Sequence, residues 1–133
     1  MRISYNSPVV LTFALCSLGF LFVDFAFGTT WSANHLGSSG AFWRMGVSEW
    51  TRSVTHVLGH VGAGHYAGNM MFILLLGPIL EEKYGSGKLL GVIVVTAILT
   101  AVLNGIFFGT SIIGASGIVF MMIILASYTK GES

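Results

Sequence analysis

The sequence predicts an all-α protein, a polytopic bundle of membrane-spanning helices. Three observations carry this. Hydrophobic residues make up 54% of the 133, and Asp, Glu, Lys and Arg together only 8%, about a third of the roughly 25% found in soluble domains. Mean hydropathy is +0.84. The few charges are also clustered, leaving stretches long enough to cross a bilayer. The same composition excludes a disordered chain, which needs low hydrophobicity and high charge. A net charge of +1 excludes the basic footprint of a nucleic-acid binder. A single cysteine, Cys16, excludes an internally disulfide-stapled fold.

The first element follows from the uncharged stretch Ile3 to Val23, centred on the apolar run Pro8–Phe27. About 20 residues span a hydrocarbon core roughly 30 Å thick, so a helix is expected over 8–27. Asp24 sits near its end, which suits an interfacial position. A secretory leader is the rival reading of residues 1–28, with Arg2 ahead of the apolar stretch. The run is long for a leader, no small-x-small cleavage site follows it, and Phe13-Ala14-Leu15-Cys16 lacks the small residue expected before a lipoprotein cysteine.

Residues 28–52 form a longer connection that holds all three tryptophans, Trp31, Trp43 and Trp50, with Phe42, Arg44 and Arg52. Indole rings favour the headgroup level, so this segment is expected to lie in the membrane interface; an ordinary loop is the alternative. Ser53 to Leu80 carries no Asp, Glu, Lys or Arg but three histidines, which predicts a second helix over about 56–80. Glu81 to Lys88 reads as a polar, glycine-rich turn; Gly87-Lys88 lacks the rest of a phosphate loop. Leu89 to Thr129 then runs 41 residues without such a charge. One helix of that length would measure about 61 Å, so it must fold back, with a hinge at Gly109-Thr110-Ser111. The expected helices are 89–109 and 114–128. With the N-terminus inside, Arg2, Lys83, Lys88 and Lys130 fall on the cytoplasmic side against Arg44 and Arg52 outside, as the positive-inside rule favours.

The third helix carries Ala97, Ala101, Gly105 and Gly109 at four-residue intervals, beside a polar stripe of Thr96, Thr100 and Asn104. Small residues permit close approach and polar ones bond across helices in lipid, so this side should face the bundle. Gly62, Gly64 and Gly68 give the second helix a similar character.

The second helix also holds His56, His60, His65 and Asn69. His65 and Asn69 lie about 40° apart around a helix. Polar side chains are costly in lipid and should face a cavity or a partner. Three readings are open: a functional constellation, hydrogen-bonded cross-links between helices, or a zinc site. Zinc suffers from the absence of a nearby Cys, Asp or Glu and from the five-residue step that turns His65 away from His60.

Gly114-Ala115-Ser116-Gly117 opens the last apolar helix. A helix N-terminus offers unpaired N–H groups and partial positive charge, which suit a nucleophilic oxygen and an oxyanion site. A helix cap is the plainer reading, and the pattern is not the Gly-x-Ser-x-Gly elbow of soluble hydrolases.

Taken together, Thr55-His56, His60, His65, Asn69, Glu81, Gly85 and Gly114-Ala115-Ser116-Gly117 resemble the rhomboid family of intramembrane serine proteases, over about residues 9–128. The resemblance implies a rhomboid-like helix bundle, with four of the family's six helices present in a single domain over 1–133. Its active site would open to water within the membrane. It implies that Ser116 is the nucleophile, and that His65, Asn69 and the Ser116 backbone N–H stabilise the oxyanion. It casts Gly114, Gly117, His56, His60, Glu81 and Arg52 as structural support, and 28–52 as the family's interfacial first loop. Trp50-Thr51-Arg52 stands where the family often has Trp-Arg.

The family's base is a histidine on the sixth helix. Here every histidine, His35, His56, His60 and His65, precedes Ser116. The expectation is therefore a rhomboid-type endopeptidase truncated after its fourth helix and inactive alone. A non-catalytic membrane-helix binding protein is the alternative. Other readings are a base recruited from His60 or another chain, and a small transporter or metal-binding protein. The expected surroundings are the bilayer, transmembrane substrates and the remaining helices, in the plasma membrane if the source is bacterial. No cofactor, metal or nucleic acid is expected.

Overall fold

The computed structural model describes residues 7–28, 31–39 and 46–131, the side chains of 129–131 aside. Arg2, Phe42, Trp43, Arg44 and the Lys130 side chain, invoked above for orientation and for the interface, lie outside the described residues. Six helices follow in order: α1 Pro8–Phe27, α2 Trp31–His35, α3 Val47–Thr55, α4 Ala63–Tyr84, α5 Ser86–Phe107 and α6 Ser116–Gly131. Among the described residues there is no strand, only an isolated antiparallel bridge between Ser38 and Ile112.

Three helices, α1, α4 and α5, are long and apolar enough to cross a membrane. The apolar helix α6 has 16 residues and measures about 24 Å at 1.5 Å per residue, short of a roughly 30 Å hydrocarbon core. It packs chiefly on α4 and α5, while α1 packs on α4.

The helix at one end starts where a helix can start. Pro8 stands in the first turn of α1, where its missing N–H costs nothing. The next two N–H groups have no partner in their own helix; Glu81 of α4 accepts both, Val9 N–H on Oε2 and Val10 N–H on Oε1, each at 3.0 Å. Ser86 Oγ donates to the same carboxylate at 2.6 Å. One turn earlier Gly77 lets α1 approach closely: a Cβ there would sit 2.6 Å from Val10 Cγ2. The turn from α4 to α5 is a single residue, Gly85, at φ +91°, a conformation without penalty only for glycine.

At the opposite end the connections interlock. Asp24, 3% exposed, accepts the Ser32 N–H at 2.7 Å and so holds the start of α2. Its carboxylate is buried against protein near the end of α1. Ser38 and Ile112 exchange backbone bonds at 3.0 and 2.9 Å. Arg52 donates to Gly37 O at 3.2 Å and Thr55 to Leu36 O at 3.1 Å. Among the described residues, 31–39 and 46–55 therefore carry two short helices, and Ser38 bonds to the connection ahead of α6.

The observed helices differ from the expected ones at their ends. The second long helix begins at Ala63, not at 56, because Gly62 takes φ +86° and residues 56–62 form a turn. His56 and His60 are consequently off that helix. The next runs Ser86–Phe107 rather than 89–109: Asn104 O accepts both the Phe108 and Gly109 N–H groups at 2.9 Å, which closes the helix before Gly109. The last begins at Ser116, two residues later than expected, and continues to Gly131.

The core is apolar and tight, with Val10, Ile73, Leu80, Leu89, Ala97, Ile118 and Met122 all at 4% exposure or less. Large apolar side chains such as Leu15, Phe22, Leu75, Val95 and Phe120 are more than half exposed, as suits a molecule whose solvent is lipid. On α5 the stripe Leu89, Ile93, Ala97, Ala101 and Gly105 is buried, so these small residues face the bundle, while Gly109 lies exposed beyond the helix. The polar stripe behaves otherwise. Thr100 Oγ1 donates to Thr96 O and Ala97 O of its own helix, at 2.9 and 3.0 Å. It presents its methyl group to Gly117, where a Cβ would lie 2.8 Å from Thr100 Cγ2.

Candidate active site

The site begins with a helix start. Val119 N–H makes the first backbone bond of α6, to Ala115 O at 3.0 Å, so the N–H groups of 116–118 carry no bond of the helix ladder. That end of the helix is also its positive end. Ser116, the first residue, is exposed on a cavity of about 300 Å³ lined by Gly64, His65, Gly68, Asn69, Phe72, Ser116, Val119 and Phe120.

Ser116 Oγ donates to Asn69 Oδ1 at 3.5 Å, the outer limit of a hydrogen bond. Asn69 is 8% exposed, and among the described residues its Nδ2 has no hydrogen-bond partner. A buried amide donor left unpaired costs about 1–3 kcal/mol. A half-turn about Cβ–Cγ exchanges the ends of the amide and brings N–H₂ to the side of Ser116.

His65 is fixed from below by Gly114. That residue has φ +117°, and a Cβ on it would stand 2.6 Å from His65 Cε1. Only glycine combines this conformation with this approach. The turn holding Gly114 is itself clamped: Gly114 N–H donates to His56 O at 2.8 Å, and Ala115 N–H to His60 Nε2 at 3.3 Å. His56 in turn donates from Nε2 to Ala97 O of α5 at 2.9 Å.

The two clamping histidines have defined tautomers. His56 carries its proton on Nε2, the donor, and His60 on Nδ1, since its Nε2 accepts. Both lie in the turn between α3 and α4. Burial pushes His56 below the usual imidazole range, against its bond to Ala97, which favours the charged form. Burial, with His65 alongside, pushes His60 down to about 4, while a backbone contact with Leu58 works the other way. The His60 ring meets His65 and Tyr66 edge-on, with centroids 5.2 and 5.6 Å apart. Tyr66 donates to Ala14 O at 2.9 Å, which ties the group to α1.

Of the residues singled out from sequence, Ser116, His65 and Asn69 thus share one cavity, with Gly114 under His65 and with His56 and His60 behind the turn. Gly117 faces α5, and Arg52 bonds to Gly37. Glu81 is 12 residues beyond Asn69 on α4, about 18 Å away, at the other end of the bundle. Among the described residues no group of three or more His, Cys, Asp or Glu side chains could hold a metal ion.

Sequence reasoning missed the apolar walls, Phe72, Val119 and Phe120, and the gaps at Gly64 and Gly68. Their signal is helical spacing: Phe72 is three residues from Asn69, and Val119 and Phe120 are three and four from Ser116. It also missed Ala97 O, which no side-chain pattern announces.

A family model, the rhomboid domain, matches residues 47–131. The chain is 32% identical over 72 residues, 54% of its length, to the rhomboid protease GluP of Bacillus subtilis (strain 168). It is 32% identical over 81 residues, 61% of its length, to the rhomboid protease GlpG of Enterobacter sp. (strain 638). These matches span 14% and 29% of the two relatives.

Proposed function

This chain belongs to the rhomboid family, and from that premise we propose that it carries the nucleophile and oxyanion part of an intramembrane serine endopeptidase site. The observation that carries the reading is the convergence of Ser116, the unpaired Asn69 amide and His65 on one cavity at a helix N-terminus. Ser116 Oγ attacks the carbonyl of a peptide bond in a transmembrane substrate. The oxyanion that forms meets the Ser116 N–H, His65 and, after the half-turn of its amide, Asn69 Nδ2, donors that stabilise the charge as it develops. His56, His60 and Gly114 hold the turn that aims the N–H, Arg52 braces the neighbouring connection through Gly37, and Glu81 caps α1 at the other end of the bundle. The site sits at the N-terminal end of α6, on the side of the bundle that holds Ser38 and His56. That side is the outer one when Lys83 and Lys88 are cytoplasmic.

The attack needs a group to take the hydroxyl proton and return it to the leaving amine. The imidazoles of His35, His56 and His60 are engaged with Trp31 O, Ala97 O and Ala115 N–H, and His65 serves the oxyanion. The 133 residues on their own are therefore proteolytically inert, since a serine hydroxyl without a base is a weak nucleophile. The test is to present the purified chain, in micelles, with a cleavable transmembrane reporter. No turnover is expected. Turnover abolished by Ser116→Ala would contradict the inert reading, and turnover that survives Ser116→Ala would contradict the assignment of the nucleophile.

A further inference from the structure

We propose that His60 is a positioning residue that works as a proton-sensitive latch on the turn ahead of Ser116: its uncharged ring accepts the Ala115 N–H, and protonation releases that turn. The latch itself is a property of the fold. Its consequence for chemistry at Ser116 rests on the function proposed above.

The argument starts from what Nε2 can do. In the neutral ring it is an acceptor; in the imidazolium both nitrogens are donors. Ala115 N–H donates to Nε2 across 3.3 Å, in a setting where His60 is 3% exposed. A proton on Nε2 turns this contact into two opposed donors. It also places a charge in a buried pocket where, among the described residues, no carboxylate meets it. The ionisable groups facing the ring are His65 and Tyr66 of α4; α6 presents only the Ala115 N–H. His65 is a like charge if both rings are protonated, and Tyr66 spends its hydroxyl on Ala14 O. Of the contacts around the ring only the one with Leu58 favours the proton; burial and His65 outweigh it, and one specific bond is lost.

The loss propagates over two residues. Gly114 precedes Ala115 and carries the floor under His65. Ser116 follows it and carries the first N–H of α6. Releasing Ala115 therefore loosens both sides of the oxyanion site while leaving the long helices, which do not depend on this bond, in place.

The sign follows from linkage. The latched form holds His60 at about 4, against 6.5 for an unperturbed imidazole. The open form binds the proton first. Latching is complete above about 6.5, weakens by up to about tenfold per pH unit on descent to about 4, and levels off below that.

The experiment is amide hydrogen exchange on the whole chain in micelles, corrected for the intrinsic pH dependence of exchange. Protection at Ala115 should fall by up to about tenfold per unit between pH 6.5 and 4, while Ile93 and Ala97 in α5 hold theirs. In His60→Gln, whose amide oxygen can accept but does not titrate, the Ala115 profile should be flat. In Ser116→Ala the slope should be unchanged, so the latch can fail or stand apart from the nucleophile assignment. A flat profile in the natural chain, the same slope in His60→Gln, or parallel loss at Ile93 would overturn the proposal. Should His60→Gln not fold, the nitrogen spectrum of the natural chain decides: His60 Nε2 without a proton at neutral pH supports the latch, and a protonated Nε2 overturns it.

Discussion

Two glycines beside Ser116 do different work, and substitution separates them. Gly114 has both a left-handed backbone and a ring against its α-carbon. Gly114→Ala should cost about 1–3 kcal/mol in backbone strain and push His65 out of the cavity, with no single compensating change available. Gly117 has no unusual backbone; its constraint is the Thr100 methyl 2.8 Å from a would-be Cβ. Gly117→Ala should cost about 1–3 kcal/mol through overpacking, and Thr100→Ser, which deletes that methyl but keeps the hydroxyl, should recover most of the loss. Denaturant unfolding of the four variants in micelles checks both statements, the second as a double-mutant cycle. If Thr100→Ser fails to rescue Gly117→Ala, the α5–α6 contact is not what glycine serves there.

Among the elements, α1 depends on a residue 71 positions away for the start of its helix. Glu81→Gln keeps the shape but leaves one acceptor oxygen for two N–H groups, and charge-assisted bonds of this kind contribute about 1.5–3 kcal/mol. The variant should lose roughly that much stability, and amide exchange should quicken at Val9 and Val10 while α6 is unaffected. Equal loosening of α6 would mean that Glu81 supports the bundle as a whole instead of capping one helix. The element scale is also where the sequence was most and least legible. The apolar run Pro8–Phe27, charged only at Asp24, delimited α1, because lipid length and hydrophobicity fix such a helix locally. The same logic failed at residues 56–62. Those residues carry no Asp, Glu, Lys or Arg, but Gly62 breaks the backbone. The peptide and imidazole groups of His56 and His60 serve α5 and the Ala115 turn. Contacts 41 and 55 residues apart leave no periodic trace. Thr100 misled for a related reason: a threonine in a helix can satisfy its hydroxyl on its own carbonyls and offer its neighbour only a methyl group.

At the scale of the whole molecule, the bundle brings two stretches of sequence that lie 47 residues apart to one cavity. The family resemblance carried by His65, Asn69 and Gly114-Ala115-Ser116-Gly117 makes that pairing legible in the sequence. The cavity's apolar walls and the clamp behind the turn emerge only with the packing. The α6 residues Phe120 and Ile124 are exposed, as suits side chains that face lipid. The account stands or falls on Ser116 as a nucleophile that has oxyanion donors but no base. The most direct measurement is the rate at which a fluorophosphonate probe labels the purified chain from about pH 6 to 9. The rate should be slow and confined to Ser116, absent in Ser116→Ala. It should rise about tenfold per pH unit, as hydroxide dependence without a general base requires. Asn69→Ala should slow it by about 10²–10³, the usual cost of one oxyanion donor. Fast labelling with an inflection in the imidazole range would contradict the missing base, and labelling that ignores Ser116→Ala, or none even at pH 9, would contradict the nucleophile.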